Sequence, residues 1–587
     1  MASLDSDLEE LMSHIGQFGK YQKFQFCLHA VSGLLAGLHM LTLITVAAVP
    51  DHKCIVPGLT DSLGLSDKSQ LSWDNVPGVN LTYSNGTKLS NLPLNLDSCN
   101  YLINDTIKAC DEWIYDTSNY KSSRGMEWNL VCSNKWKGAV AQSTYMLGVF
   151  TGAVTLGSLA DKYGRKIIFC ISGIGQLIFG VLVAFIPEYY TFLLIRFLYG
   201  IFGSSGAYIT GFVLTMEMVG PSKRTFCGTM FQLLFSLGFV VVAFWGYVIK
   251  DRMWLQIVYG LHSLILIGHW WLMDESPRWL WTQGRPNEAV KIVQKAIKFN
   301  GDNTKLDVAK FVSKNLAKRN SRINQEDNNN VDGNNKKSSS GMIDLLRTPN
   351  LRKKFLNVCL NWFANAIVYY GLSLSSGNLE GNPYLMLALS GVVELPSYIF
   401  TVLVMDRLGR RFLVSVFMIV GGICCVVAAS IPKNLSGGSE AVIGIVLFGK
   451  ACIAISFAVI YNYTAELFPT VLRNTAIGVG SMCCRLSGAL TPMLLLLDTL
   501  DPRVPATLFG GVALIAGFFG LFLPETAGHP MPETLEDGEK FGVGDTCFTT
   551  CLGKRYSDGD ISLDGIGDDN NRQGDTFIEC DVKNKDY

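Results

Sequence analysis

The chain has 587 residues, 49% of them hydrophobic and 17% charged, and its 49 Lys and Arg are balanced by 49 Asp and Glu. A mean hydropathy of +0.27 excludes an ordinary soluble globule, because that much apolar surface must face lipid rather than water. The balanced charge gives no basis for a nucleic-acid partner.

Residues 1–24 carry Asp5, Asp7, Glu9 and Glu10 rather than a basic leader, and the apolar run behind them is too long for a signal peptide. That run is therefore expected to stay as a membrane anchor, with 1–24 cytoplasmic. About 20 apolar residues cross a hydrocarbon core of roughly 30 Å as a helix. Twelve runs reach that length: 25–50, 138–160, 167–187, 191–215, 226–249, 253–273, 355–377, 383–405, 412–431, 441–463, 474–497 and 505–523. They are numbered spans 1 to 12. With the N-terminus inside, the four short inner loops hold 9 Lys and Arg against 4 in the short outer loops, and the long inner loop 274–354 adds 17. This bias is the positive-inside pattern.

The stretch 51–137 then lies outside. It holds three N-glycosylation sequons, at Asn80, Asn85 and Asn104, and four cysteines, Cys54, Cys99, Cys110 and Cys132. Two disulfides are expected there, with three connectivities open. On the inner side, 287–300 has helical apolar periodicity, whereas 324–340 is polar and low in complexity and is expected to be disordered. After residue 523 the acid- and glycine-rich tail, 524–587, is expected to be a mobile cytoplasmic end.

Charged motifs at the span boundaries occur twice. Asp161-Lys162-Tyr163-Gly164-Arg165-Lys166 returns as Asp406-Arg407-Leu408-Gly409-Arg410-Arg411, Glu217 through Arg224 as Glu466 through Arg473, and Glu275 as Glu525. The offsets of 245, 249 and 250 residues are those of two duplicated half-bundles, 25–273 and 355–523, able to rock about a shared midplane site. Pairs among Asp161, Arg165, Glu217 and Arg224, and among Asp406, Arg410, Glu466 and Arg473, are expected to latch the inner face and to break as the halves move.

Ionisable residues inside spans are costly and mark cavities by default. Glu394 in span 8 and Arg485 in span 11 are the foremost candidates, while Lys450 in span 10 is placed where it either serves the site or snorkels outward. Trp362 and Tyr369 share a face of span 7, Phe457 and Tyr461 a face of span 10, and Gln232 and Phe235 a face of span 5. Aromatic faces of this kind suit an ammonium group. His39 in span 1 is best read as a packed, neutral residue. No catalytic constellation and no GxxxxGK[ST] phosphate loop occurs in the chain, which argues against an enzyme and against an ATP-driven pump.

GSLADKYGRK at 157–166 and DESPRWL at 274–280 resemble motifs of the major facilitator superfamily. PDHKC at 50–54, EWNLVC at 127–132 and YTAELFPTVLRN at 463–474 resemble its organic cation, organic anion and carnitine transporter family. The resemblance runs from about residue 20 to 530, with one departure: family members often have six cysteines in the outer loop, and this chain has four. It implies an all-helical membrane protein of twelve spans in two bundles, with inverted three-helix repeats in each. Spans 1, 2, 4, 5, 7, 8, 10 and 11 would line a central cavity that includes Tyr208, and Arg485 would stand where cation carriers have an aspartate and carnitine and anion carriers an arginine.

The expected function is secondary transport of a small organic ion across the plasma membrane by alternating access. The expected substrate is a zwitterion of the carnitine or β-alanine type, its carboxylate on Arg485 and its ammonium among Trp362, Tyr369, Tyr461 and Glu394. The alternatives are an organic cation carrier and a non-transporting sensor. No cofactor or metal is expected, and the sequence leaves coupling to Na+ or H+, and the oligomeric state, open.

Overall fold

The computed structural model describes residues 6–55, 73, 94–95, 98–103, 106–302, 306–307, 309–313, 342–378, 381–432 and 437–547. The three sequons at Asn80, Asn85 and Asn104, the polar segment 324–340 and the tail beyond 547 lie outside these residues.

Eleven helices are long and apolar enough to cross a membrane, and Val504–Gly520 is a shorter apolar helix. Together they give the twelve-span architecture. In chain order the others are Lys20–Val46, Cys132–Tyr163, Arg165–Phe185, Tyr189–Met218, Pro221–Val248, Arg252–Leu272, Pro349–Ser375, Pro383–Leu408, Arg410–Ser430, Gly438–Leu467 and Thr470–Thr499. Each overlaps its sequence-derived span, and most begin or end on a charged or prolyl residue that does not belong in hydrocarbon. Close packing uses small residues: a Cβ at Gly148 would stand 2.2 Å from the carbonyl oxygen of Phe197, so spans 2 and 4 approach there only through glycine. Span 4 also contains a π-helical stretch, Ile201–Ala207, directly before Tyr208.

The two halves touch chiefly toward the end that the expected topology places outside. Ser143 on span 2 donates to the Ala489 carbonyl on span 11 at 2.7 Å, and Lys135 pairs with Asp498 at 2.7 Å. On the other pseudo-symmetric seam, Gly391 of span 8 lies against the Ser236 carbonyl of span 5, and the Tyr384 hydroxyl donates to the Asn119 carbonyl of the outer segment at 2.9 Å. That segment is tied by Cys54–Cys110 and Cys99–Cys132, one of the three connectivities open from sequence. His52–Cys54 pairs antiparallel with Trp113–Tyr115, and Asn100–Ile103 pairs with both Leu94–Asn95 and Thr106–Ala109.

The repeated inner motifs have a shared physical cause. Gly164 and Gly409 have φ of +113° and +85°, a region that L side chains avoid. Beside them the carboxylate of Glu275 accepts the backbone N–H groups of Arg165 (3.2 Å) and Lys166 (3.1 Å), and Glu525 accepts those of Arg410 (2.8 Å) and Arg411 (3.1 Å). Each glutamate thus satisfies the free N–H groups that open span 3 or span 9. A Cβ on either glycine would sit 2.6 Å from its glutamate. Gly409→Ala is therefore expected to lose about 1–3 kcal/mol of stability, seen as a lower thermal midpoint of the purified protein; an unchanged midpoint would contradict this.

The described residues near both ends are packed, whereas the stretch after residue 523 is expected from sequence to be a mobile end. The helix Ser6–Ser13 buries Leu8, Leu11 and Met12 against Val290, Val293 and Ile297 of the inner helix Pro286–Asn300. Glu9 accepts from Arg278 at 2.6 and 3.2 Å, and the hydrogen bonds from that guanidinium hold its carboxyl below the usual range. At the other end, 524–547 is packed: Glu539 accepts the N–H groups of Asn350 (2.7 Å) and Leu351 (2.8 Å), and Asp545 pairs with Arg411 at 2.9 Å. Composition suggested a mobile tail because these bonds are polar and long-range, and leave no apolar periodicity to read.

Candidate functional site

A central cavity with about 790 Å³ of empty space, its opening included, lies between the two bundles. Spans 1, 2, 4, 5, 7, 8, 10 and 11 each contribute to its wall, through residues that include Met40, Met146, Tyr208, Phe235, Tyr369, Tyr398, Phe457 and Arg485. Of the sequence-derived candidates, Arg485, Tyr369, Tyr461, Phe457, Gln232, Phe235 and Tyr208 line it. Trp362 and Glu394 do not.

Trp362 is fully buried behind the wall. Its indole N–H donates to Thr464 at 3.0 Å, and its ring meets that of Tyr461 edge-on at 4.3 Å. Gly480 of span 11 leaves room for this ring, since a Cβ there would stand 2.7 Å from the indole nitrogen. The tryptophan packs behind Tyr461 rather than lining the cavity. Tyr369 stacks on Phe457 at 5.5 Å, and Phe457 meets Tyr461 at 5.9 Å, so three aromatic residues form one continuous surface.

Glu394 is likewise fully buried. Its carboxylate accepts from Tyr369 at 2.9 Å, from Tyr398 at 3.2 Å and from Ser236 across the seam between the halves. Lys450 lies 3.0 Å from it and also donates to Ser390. Lys450 therefore does not snorkel: at 1% exposure it is the counter-ion that makes burial of Glu394 tolerable. Span periodicity showed each charge alone but could not show that spans 8 and 10 bring them together.

Arg485 has the opposite environment. Its Nη1 donates to the Ser481 carbonyl at 2.9 Å and to the Ser481 hydroxyl, one turn back on its own helix. Among the described residues no carboxylate lies within ion-pair distance of it, and its Nε and Nη2 make no protein hydrogen bond. Those two nitrogens carry the parallel N–H groups that match a carboxylate. Tyr398 and Ser481 escaped the sequence reading, although each lies four residues from a chosen charge, Glu394 and Arg485, and so shares its helical face.

A second recess, with about 1250 Å³ of empty space, its opening included, lies at the end that the expected topology places inside and includes Glu217, Arg224, Arg278, Asn462 and Asn474 in its wall. It shares Gln232 and Tyr461 with the central cavity, so these two side chains stand between the cavity and the inner side. Of the charged motif residues, Glu217 and Arg224 stand in the wall of this recess. Arg165 bonds Asp161 at 2.9 Å and Glu217 at 3.1 Å, while Arg410 bonds Asp406 at 2.8 Å and Glu466 at 3.0 Å.

Each of these four pairs lies within its own half, among the residues the repeat sets together, and none of the four joins one half to the other. Arg224 and Arg473 depart from the expected pairing. Arg224 donates to the Val219 carbonyl at 3.4 Å, and Arg473 contacts the sulfur of Met531 at 3.5 Å; among the described residues neither forms an ion pair. The sequence repeat shows which residues correspond between halves, but equal repeats are also what two independent intra-half clusters produce.

The chain matches the family model described as "Sugar (and other) transporter" over residues 98–537. It is 36% identical over 541 residues to an organic cation transporter protein of Drosophila melanogaster, covering 91% of this chain and 95% of that protein. It is 33% identical over 552 residues to solute carrier family 22 member 16 of Xenopus laevis, with 91% and 95% covered. Among solved structures it resembles the proton:xylose symporter XylE bound to 6-bromo-6-deoxy-D-glucose, with a TM-score of 0.55 at 15% identity over 89% of this chain and 98% of that one. The likeness to XylE bears on the fold alone, whereas the sequence relatives reach further. With a two-bundle fold, a cavity at its centre and matches of this extent, the chain belongs to the organic cation and anion transporters of solute carrier family 22, within the major facilitator superfamily: it is a secondary transporter of organic ions and not an enzyme.

Proposed function

We propose that the transported ion is a zwitterion carrying a carboxylate and an amine or quaternary ammonium, of the carnitine or β-alanine type. The observation that carries this reading is the contrast between the two charges first chosen from sequence. Glu394 is neutralised by Lys450 at 3.0 Å, whereas the Arg485 guanidinium reaches the cavity with Nε and Nη2 unspent. The cavity therefore offers one net positive charge, suited to a carboxylate, beside the aromatic faces of Tyr369, Phe457 and Tyr461, suited to an ammonium. Glu394 acts behind this surface, through Tyr369 and Tyr398, rather than as a direct ligand.

One observation favours a second reading, an organic cation carrier: the Drosophila relative bears the name organic cation transporter protein. Uptake into cells expressing the full chain at the plasma membrane separates the two. Carnitine and β-alanine entering in preference to choline and histamine supports the zwitterion reading; choline and histamine entering alone makes the chain a cation carrier.

The motif residues Asp161, Arg165, Glu217, Asp406, Arg410 and Glu466 act in this reading as brackets that keep each half rigid while it rocks. Arg165→Glu would put three like charges together in the first half and is expected to lower maximal uptake about tenfold with KM changed by less than about twofold. A variant with full maximal uptake and only a raised KM would contradict the bracket.

A further inference from the structure

A third recess, with about 700 Å³ of empty space, lies at the inner end of the second half, between the start of span 7, the end of span 12 and the packed tail. Its wall includes Lys353, Lys354, Asn357, Phe522, Leu523 and Asp545. We propose that this recess binds the phosphate headgroup of an anionic phospholipid of the inner leaflet.

The charge balance of the recess is the first argument. Lys354 is only 3% exposed, and its ammonium donates to the main-chain carbonyls of Gly538, at 3.1 Å, and Phe541. Neither acceptor is charged, and one of its three N–H groups is left over. Of the nearby carboxylates, Glu539 caps the backbone at Asn350 and Leu351 and attracts Lys354 without a hydrogen bond to it, while Asp545 holds Arg411 at 2.9 Å and the N–H of Glu525 at 3.0 Å. Lys353, exposed at the mouth, adds a second positive charge. A buried ammonium whose hydrogen bonds go only to neutral carbonyls gains from an anion in the same recess, and a phosphate supplies several acceptor oxygens at once.

The surroundings decide for a lipid over a free phosphate. Leu356, Phe519 and Phe522 are 56%, 47% and 44% exposed. Asn357, in the wall, donates to the Phe519 carbonyl at 2.7 Å, which sets this apolar strip beside the recess. Leu356 follows Lys353 by three residues and shares its face of span 7. A headgroup in the recess would thus have its acyl chains lying along side chains that already face hydrocarbon.

The test is binding of dioctanoyl phosphatidylinositol 4-phosphate to the purified full chain, measured by native mass spectrometry, beside dioctanoyl phosphatidylcholine and inorganic phosphate. The anionic lipid is expected to bind saturably and phosphatidylcholine much more weakly. Lys353→Gln should weaken the anionic lipid about fivefold, the effect of one lysine near an anionic lipid surface. Lys223→Gln, an exposed lysine of the other half, should leave it unchanged. Equal binding of the two lipids, or an unaffected Lys353→Gln, would overturn the proposal. Competition by inorganic phosphate at the lipid's own affinity would overturn the lipid and leave a site for a soluble phosphate.

Discussion

Arg485→Ala is expected to lower kcat/KM for carnitine and β-alanine about a hundredfold while the protein still reaches the cell surface. The substitution removes two charge-assisted hydrogen bonds to a carboxylate, each worth about 1.5–3 kcal/mol, with the lower end already sufficient for that loss. Folding is spared because Arg485 is only part-buried and its one hydrogen-bond partner among the described residues is Ser481, on its own helix. Arg485→Lys is expected to recover only part of the activity, since an ammonium keeps the charge but not the two parallel donors. Wild-type uptake of both substrates by Arg485→Ala, with matched surface labelling, would remove the guanidinium from substrate recognition.

Lys450→Met is expected to be the most destabilising single change in the central region. It leaves the fully buried carboxylate of Glu394 with hydroxyl donors only, a situation that costs about 3–5 kcal/mol. Glu394→Gln strands Lys450 in the same way, and each variant should show a markedly lower thermal midpoint in detergent. The double variant Lys450→Met with Glu394→Gln buries no charge and should regain most of the lost stability. That non-additivity is the signature of a pair. Additive losses in the double variant would mean that the two residues act separately.

Most of the fold was legible because lipid imposes a coarse rule: each span needs about 20 apolar residues, and the chain meets it twelve times. Span 6 shows where that rule blurs, since its helix is interrupted around His262 and Gly268. Lining positions were legible where helical spacing put aromatic residues on one face, as for Phe457 and Tyr461. The rule failed for side chains that lie behind the cavity wall. Trp362 obeys the same spacing as Tyr369 yet faces away, because Gly480 on a neighbouring span opens a slot for it. The partner of Glu394 was hidden for a related reason: Lys450 is 56 residues away, and no periodicity along one helix encodes its register against another. The motif clusters were visible through the repeat, but whether a pair lies within a half or between halves is a property of tertiary packing.

Whether the Arg485 guanidinium reads a carboxylate is settled by comparing carnitine with its methyl ester as ligands of the purified protein. The ester keeps the ammonium and the chain and removes only the negative charge. Carnitine is expected to bind at least about tenfold more tightly, with the difference vanishing in Arg485→Ala. Equal affinity of the acid and the ester in the wild type would contradict the account.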